Sequence, residues 1–140
     1  MGYIHTLNNY YESTEWEEYS NSQKVLSSLY GLLGKRLESL KKYNSAIEIY
    51  KKQLSIRECY SSNQVECCVV LYNIAECYCK ASQPDRALDY YEKCVSMRGD
   101  KDYYGLPSKS IIMKNTAIAY MAVGKFHEAI AHQLHIIESM

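Results

Sequence analysis

Apolar residues recur three and four positions apart along most of the chain, a spacing that places side chains on one face of an α-helix. The pattern stops within the stretches KKYNSA, SQPDRA and VGKFHEA, where Asn, Pro or Gly disfavours a helix. It therefore predicts six helices in an all-α chain. Their expected ranges are 22–40, 44–59, 63–81, 85–98, 108–122 and 126–139.

Residues 1–21 are less regular than the remainder of the chain. Within them, Thr14 stands three residues before Glu17, which is the spacing of a capping box at a helix start. We therefore expect a short capping helix at 13–21, with the second helix of an upstream repeat as the alternative.

Three segments, 29–56, 70–97 and 112–137, superimpose without internal gaps, so the chain repeats itself with a nearly constant period. At equivalent positions, each segment has a small residue in its first helix and another in its second. These are Gly34, Ala75 and Ala117 in the first helices and Ala46, Ala87 and Ala129 in the second helices. A small residue allows two helices to approach closely, so each segment is expected to form a pair of antiparallel helices.

The order of small and aromatic residues in these segments is similar to that of the tetratricopeptide repeat, and the similarity extends over residues 22–140. It implies an α-α superhelix, or solenoid, of about three helix-turn-helix repeats. We expect these repeats at 22–62, 63–104 and 105–140, within a longer array. Because the period is longer than that of the common tetratricopeptide repeat, the segments resemble the long-repeat subclass of kinesin light chain, Pins-type spindle regulators, rapsyn and tonsoku-like proteins.

The resemblance also implies a peptide-binding groove lined by the first helix of each repeat. In the long-repeat subclass, an asparagine two residues before the small residue bonds to the backbone of a bound peptide. Asn73 and Asn115 match that position, whereas the first repeat has Leu32 there. The amide donors and acceptor suit an extended peptide, and the alternative is that both asparagines simply face water. Six further residues are expected on the same face: Lys35, Tyr72, Glu76, Lys80, Lys114 and Ile118.

Charge and cysteine content narrow the range of partners and compartments. Sixteen basic and sixteen acidic side chains leave no net charge, so neither nucleic acid nor an anionic membrane is an expected partner. The first residues contain neither a secretory signal nor an apolar span that could cross a bilayer. The six cysteines are therefore expected to be reduced thiols, in the cytoplasm or the nucleus.

The cysteines do not have the spacing of a metal site. Cys77 and Cys79 are two positions apart on a predicted helix, so their side chains point to nearly opposite sides. Cys67 and Cys68 are adjacent and diverge likewise, while Cys94 falls where a small residue packs between helices. We expect packing thiols, with a zinc or redox role assembled across helices as the alternative.

No other chemical site is expected. His132 and His135 are three positions apart and could bind a metal weakly, but a solvated helix face is the preferred interpretation. The sequence contains neither a recognisable nucleophile motif nor a glycine-rich phosphate loop. We therefore expect no catalytic residues, no metal and no cofactor.

These observations predict a non-enzymatic scaffold or adaptor that binds an internal peptide segment of a partner protein in the concave groove. One alternative is a structural self-association module that stacks through an open terminal repeat, because AIAHQLHIIESM has an apolar face and no polar capping helix after it. A helical-repeat RNA binder is a further alternative, and the zero net charge argues against it.

Overall fold

The computed structural model describes the backbone of residues 2–60, 65–99 and 105–138, and the side chains of residues 14–59, 66–99 and 105–138. These described residues form six α-helices and no strand. The helices are α1 (Gly2–Ser39), α2 (Tyr43–Tyr60), α3 (Val65–Lys80), α4 (Pro84–Arg98), α5 (Lys109–Ala122) and α6 (Phe126–Glu138). The all-α prediction is confirmed, and the observed ends of α2 to α6 lie within two residues of the predicted ends. Over the described residues, no helix is both long and apolar enough to cross a membrane.

The first helix differs from the prediction. A separate short helix at 13–21 is wrong, because α1 continues without a break from Gly2 to Ser39. The stretch YSNSQK, at the expected boundary, contains Ser and Asn, which are moderate helix formers, but no Gly or Pro that would end a helix. Thr14 therefore lies inside α1 and not at a helix start.

Each helix packs against the helices that precede and follow it in the chain. Within the pairs, α1 packs on α2, α3 on α4 and α5 on α6; between the pairs, α2 packs on α3 and α4 on α5. This consecutive packing is the architecture of a helical solenoid, in which each repeat contacts its neighbours. The predicted repeat boundaries fall in or beside residues 61–64 and 100–104, which lie outside the described ranges.

Small residues sit where the helices come close together. Ala46, Ala87 and Ala129 are all buried, with at most 5% of their surface exposed. In α1, a Cβ atom at Gly34 would stand within 2.7 Å of three ring atoms of Tyr50, which is itself completely buried in α2. The close approach of α1 and α2 therefore depends on the missing side chain at Gly34.

The turn inside each repeat has the same backbone conformation. Lys41, Ser82 and Gly124 have φ angles of 60°, 61° and 82°. The residue after each of them donates its N–H to the carbonyl five positions earlier, at 2.8 to 2.9 Å. This is the Schellman arrangement that ends a helix with one left-handed residue. Its recurrence at the equivalent position of all three segments supports the three-repeat register.

Candidate functional site

Polar side chains link the first helices of the three repeats through two groups of contacts, one between α1 and α3 and one between α3 and α5. We name the two groups together the polar row. Its members are Lys35 and Glu38 on α1, Tyr72, Asn73, Glu76 and Lys80 on α3, and Asn115 on α5. The first helices of stacked helix pairs line the concave face of a solenoid. The polar row lies on first helices, and its place in a ligand-binding groove stays a prediction.

Glu38 connects α1 to α3. Its Oε1 lies 3.5 Å from Lys80 Nζ, and its Oε2 lies 3.6 Å from Lys35 Nζ. Lys35 Nζ also donates a hydrogen bond to Asn73 Oδ1 at 3.1 Å. Two ammonium groups share one carboxylate, so this end of the polar row has a net positive charge.

Asn115 connects α5 to α3. Its Nδ2 donates to Tyr72 OH at 3.0 Å and to Glu76 Oε1 at 2.9 Å. Within the described part of the chain, no lysine or arginine forms an ion pair with Glu76. This end of the polar row is therefore negatively charged.

Tyrosines of the second helices hold the two carboxylates in place. Tyr50 OH donates to Glu38 and Tyr91 OH donates to Glu76. Burial, followed by the adjacent carboxylate, raises the pKa of both phenols well above the usual value. Burial and then the charge of Glu76 raise the pKa of Tyr72 to about 12. All three hydroxyls therefore stay protonated. The hydrogen bonds from Tyr50 and Tyr91 hold the carboxylates of Glu38 and Glu76, respectively, in position.

The two asparagines use opposite ends of their amides because the residue that faces each of them has opposite charge. Lys35 and Glu76 occupy equivalent positions in the first and second repeats, each directly after the small residue of the first helix. Asn73 turns its oxygen toward Lys35, whereas Asn115 turns its nitrogen toward Glu76. Among the described residues, Asn73 Nδ2 and Asn115 Oδ1 have no partner. The polar row thus offers donors at one asparagine and an acceptor at the next.

A sequence model of the family described as tetratricopeptide repeat matches residues 25–100. The chain belongs to the tetratricopeptide repeat family. The crystal structure of BtubC (BKLC) from P. vanneervenii has the same fold, with a TM-score of 0.67 and 22% sequence identity, and the match covers 76% of this chain. The chain spans 43% of the length of BtubC. No curated protein matches the sequence, and the long-repeat subclass stays a prediction.

Six of the eight predicted groove residues belong to the polar row of this tetratricopeptide repeat chain. They are Asn73, Asn115, Lys35, Tyr72, Glu76 and Lys80. Lys114 and Ile118 are exposed on α5, and no described hydrogen bond or ion pair joins them to the row. Asn73 and Asn115 do not simply face water, because both are half-buried and hydrogen-bonded within the chain. Their role in peptide binding stays a prediction.

Glu38, Tyr50 and Tyr91 support the polar row but are not among the predicted residues. Tyr50 and Tyr91 are one period apart, and this recurrence is the signal that could have identified them. Glu38 has no such signal, because Cys79 occupies the equivalent position in the second repeat.

The two histidines of α6 have different surroundings. His132 is half-buried and stacks on Tyr120 with ring centroids 5.0 Å apart, whereas His135 is exposed. The solvated face expected for both is therefore observed at His135 alone. Over the described residues, no group of three or more His, Cys, Asp or Glu side chains is placed to hold a metal ion.

Proposed function

We propose that this chain is a non-enzymatic interaction module that binds an extended internal segment of a partner protein along the polar row. Tetratricopeptide repeats generally mediate protein–protein interaction and are typically scaffolds. The observation that favours this function is the pair of unused amide groups on Asn73 and Asn115, held in position on consecutive first helices. An extended peptide has backbone N–H and C=O groups that need such partners.

The two amides are arranged to bind a peptide backbone in one orientation. Asn73 Nδ2 would donate to a peptide carbonyl, and Asn115 Oδ1 would accept from a peptide N–H farther along. Lys35 and Glu76 already hold these amides in the free chain. Little side-chain entropy is therefore lost when the peptide binds, which favours affinity.

The charge of the polar row favours peptides that carry an acidic and a basic side chain at different positions. Lys35 and Lys80 outnumber Glu38 at the α1 end, while Glu76 has no described ion-pair partner nearer α5. We expect the bound segment to place an acidic side chain near the two lysines and a basic one near Glu76. Complementary charge of this kind sets orientation and specificity more than affinity.

Peptide selection followed by calorimetry tests the proposal. A peptide selected from a random display library on the wild-type chain is expected to bind the Asn73→Ala/Asn115→Ala variant more weakly. The variant loses two net hydrogen bonds of roughly 0.5–1.5 kcal/mol each, which corresponds to about a 5- to 150-fold increase in Kd. A thermal melt of the variant separates loss of binding from loss of folding.

The matched control is Glu48→Ala/Lys52→Ala, which changes two exposed residues of the second helix α2. This variant is expected to keep the wild-type Kd. Equal losses in both variants would place the partner on the outer surface. A selected peptide whose Kd is the same for the asparagine variant and the wild type would refute binding through the amides.

Self-association is a second candidate function, supported by the exposed apolar faces of α6 and α1. On α6, four side chains spaced four, four and three positions apart lie on one face and are each at least 50% exposed: Phe126, Ile130, Leu134 and Ile137. On α1, an apolar stripe is similarly exposed: Val25, Leu29, Leu32 and Leu33. A second copy that packs its α1 on α6 would bury both faces and continue the solenoid.

Sedimentation velocity at several concentrations tests this second candidate. The wild-type mass is expected to rise with concentration and to pass beyond a dimer, because a head-to-tail contact leaves a free face at each end. Ile130→Lys, which places a charge in the middle of the α6 face, is expected to stay monomeric. A wild-type chain that is monomeric at every concentration would rule out self-association.

A further inference from the structure

Cys68 and Cys94 form a buried thiol pair that the polar row does not use. Their Sγ atoms lie 2.9 Å apart across the interface of α3 and α4. Each Sγ also lies 3.3 Å from the carbonyl oxygen of the other residue. Both thiols are free and fully buried. The Sγ atoms are about 0.9 Å farther apart than in a disulfide bond, so a small movement brings them to bonding distance.

Several features of its surroundings favour the thiolate form of Cys68. It is the fourth residue of α3, which begins at Val65, and the helix dipole stabilises negative charge there. The hydrogen bond with Cys94, and then the positive charge of the buried Arg98, lower the pKa of Cys68 against the opposing effect of burial. The same hydrogen bond, together with burial, raises the pKa of Cys94. Of the two thiols, Cys68 is therefore the one that loses its proton more readily.

The other cysteines of α3 lack this combination. Burial raises the pKa of Cys67 and of Cys79, and it raises the pKa of Cys77 to about 12. Within the described residues, none of these three sulfurs contacts another sulfur. Oxidation to an intramolecular disulfide is thus directed to one pair.

We propose that hydrogen peroxide oxidises Cys68 and Cys94 to a disulfide that cross-links α3 to α4. The Cys68 thiolate attacks one peroxide oxygen, the O–O bond breaks, and the released hydroxide takes up a proton as water, leaving a sulfenic acid. The Cys94 sulfur then attacks the Cys68 sulfur, the S–O bond breaks, and the hydroxide leaves as a second water with the Cys94 proton. Two thiols lose two electrons and two protons, and one peroxide becomes two waters.

Local opening near the ends of α3 and α4 would give the oxidant a route to the pair. Cys68 lies near the first residue of α3, and Cys94 lies four residues before the end of α4 at Arg98. Helix ends open locally more often than helix centres, which admits a small oxidant. The bond would join positions 26 residues apart and restrict the unfolded chain, so the oxidised form is expected to have a Tm about 5–10 °C higher.

Peptide mapping of peroxide-treated protein tests the proposal, with wild type compared with Cys68→Ala and Cys67→Ala. Wild type and Cys67→Ala are expected to yield a peptide pair linked through Cys68 and Cys94, with a higher Tm that dithiothreitol reverses. Cys68→Ala is expected to show neither change. Cys67→Ala is a matched control, since Cys67 is a buried cysteine in the same turn.

Wild-type mapping keeps the proposal falsifiable even where Cys68→Ala does not fold. Treated wild type in which Cys68 and Cys94 both remain open to alkylation after denaturation, while Cys59 is oxidised, would overturn it. Cross-links that form between molecules and not within one chain would overturn it as well.

Discussion

Replacement of Ala87 by Leu is expected to lower the free energy of unfolding by about 1–3 kcal/mol, because it overpacks a close helix contact. Ala87 has no exposed surface, and its helix α4 packs on both α3 and α5. The added carbons have no space unless the helices separate, which would expose core side chains such as Tyr78 and Tyr91. Urea denaturation followed by circular dichroism measures the loss.

The matched control is Ala131→Leu, at an exposed position of α6. It adds the same atoms to a helix of similar length and is expected to change the free energy of unfolding by less than about 0.5 kcal/mol. An Ala87→Leu variant as stable as the wild type would contradict the repeat register, because that register puts Ala87 in a packed contact.

The helix boundaries were predictable wherever their signals are local. Pro84 is the first residue of α4, and Gly124 supplies the left-handed residue that ends α5. The start of α1 was not predictable in this way. Thr14 and Glu17 have the spacing of a cap, yet the helix continues through them because no residue nearby ends it. A capping pattern marks a helix start only where the preceding chain leaves the helix.

The polar row was predictable only in part, because a repeat alignment gives positions and not the partners of each side chain. Alignment places Asn73 and Asn115 at equivalent positions, and each is hydrogen-bonded to a residue of the preceding first helix. It does not show that Lys35 and Glu76, which are equivalent and opposite in charge, turn the two amides in opposite directions. Nor does it show that the Glu76 carboxylate accepts a hydrogen bond from a buried tyrosine of the second helix. These contacts depend on distances between helices.

Replacement of Glu76 by Ala is expected to lower the free energy of unfolding by about 2–4 kcal/mol. The carboxylate accepts hydrogen bonds from Tyr91 OH and from Asn115 Nδ2. Tyr91 is 1% exposed, so its hydroxyl would remain buried without that acceptor, which costs roughly 1–3 kcal/mol. Asn115 also loses its hydrogen bond to the charged carboxylate, and such a bond contributes about 1.5–3 kcal/mol. The loss is smaller here because Asn115 is half-buried and keeps its hydrogen bond to Tyr72.

A double-mutant cycle with Tyr91→Phe separates this penalty from a simple loss of packing. Glu76→Ala/Tyr91→Phe removes both partners, so no buried hydroxyl is left unsatisfied, and the double variant is expected to be more stable than Glu76→Ala alone. Glu76→Gln keeps an acceptor for the hydroxyl and is expected to lose less than Glu76→Ala. Urea denaturation of the wild type, both single variants and the double variant gives the coupling free energy, which is expected to exceed about 1 kcal/mol. If the effects of Glu76→Ala and Tyr91→Phe simply add, the hydrogen bond between them contributes nothing to stability, and Tyr91 does not fix the carboxylate that orients Asn115.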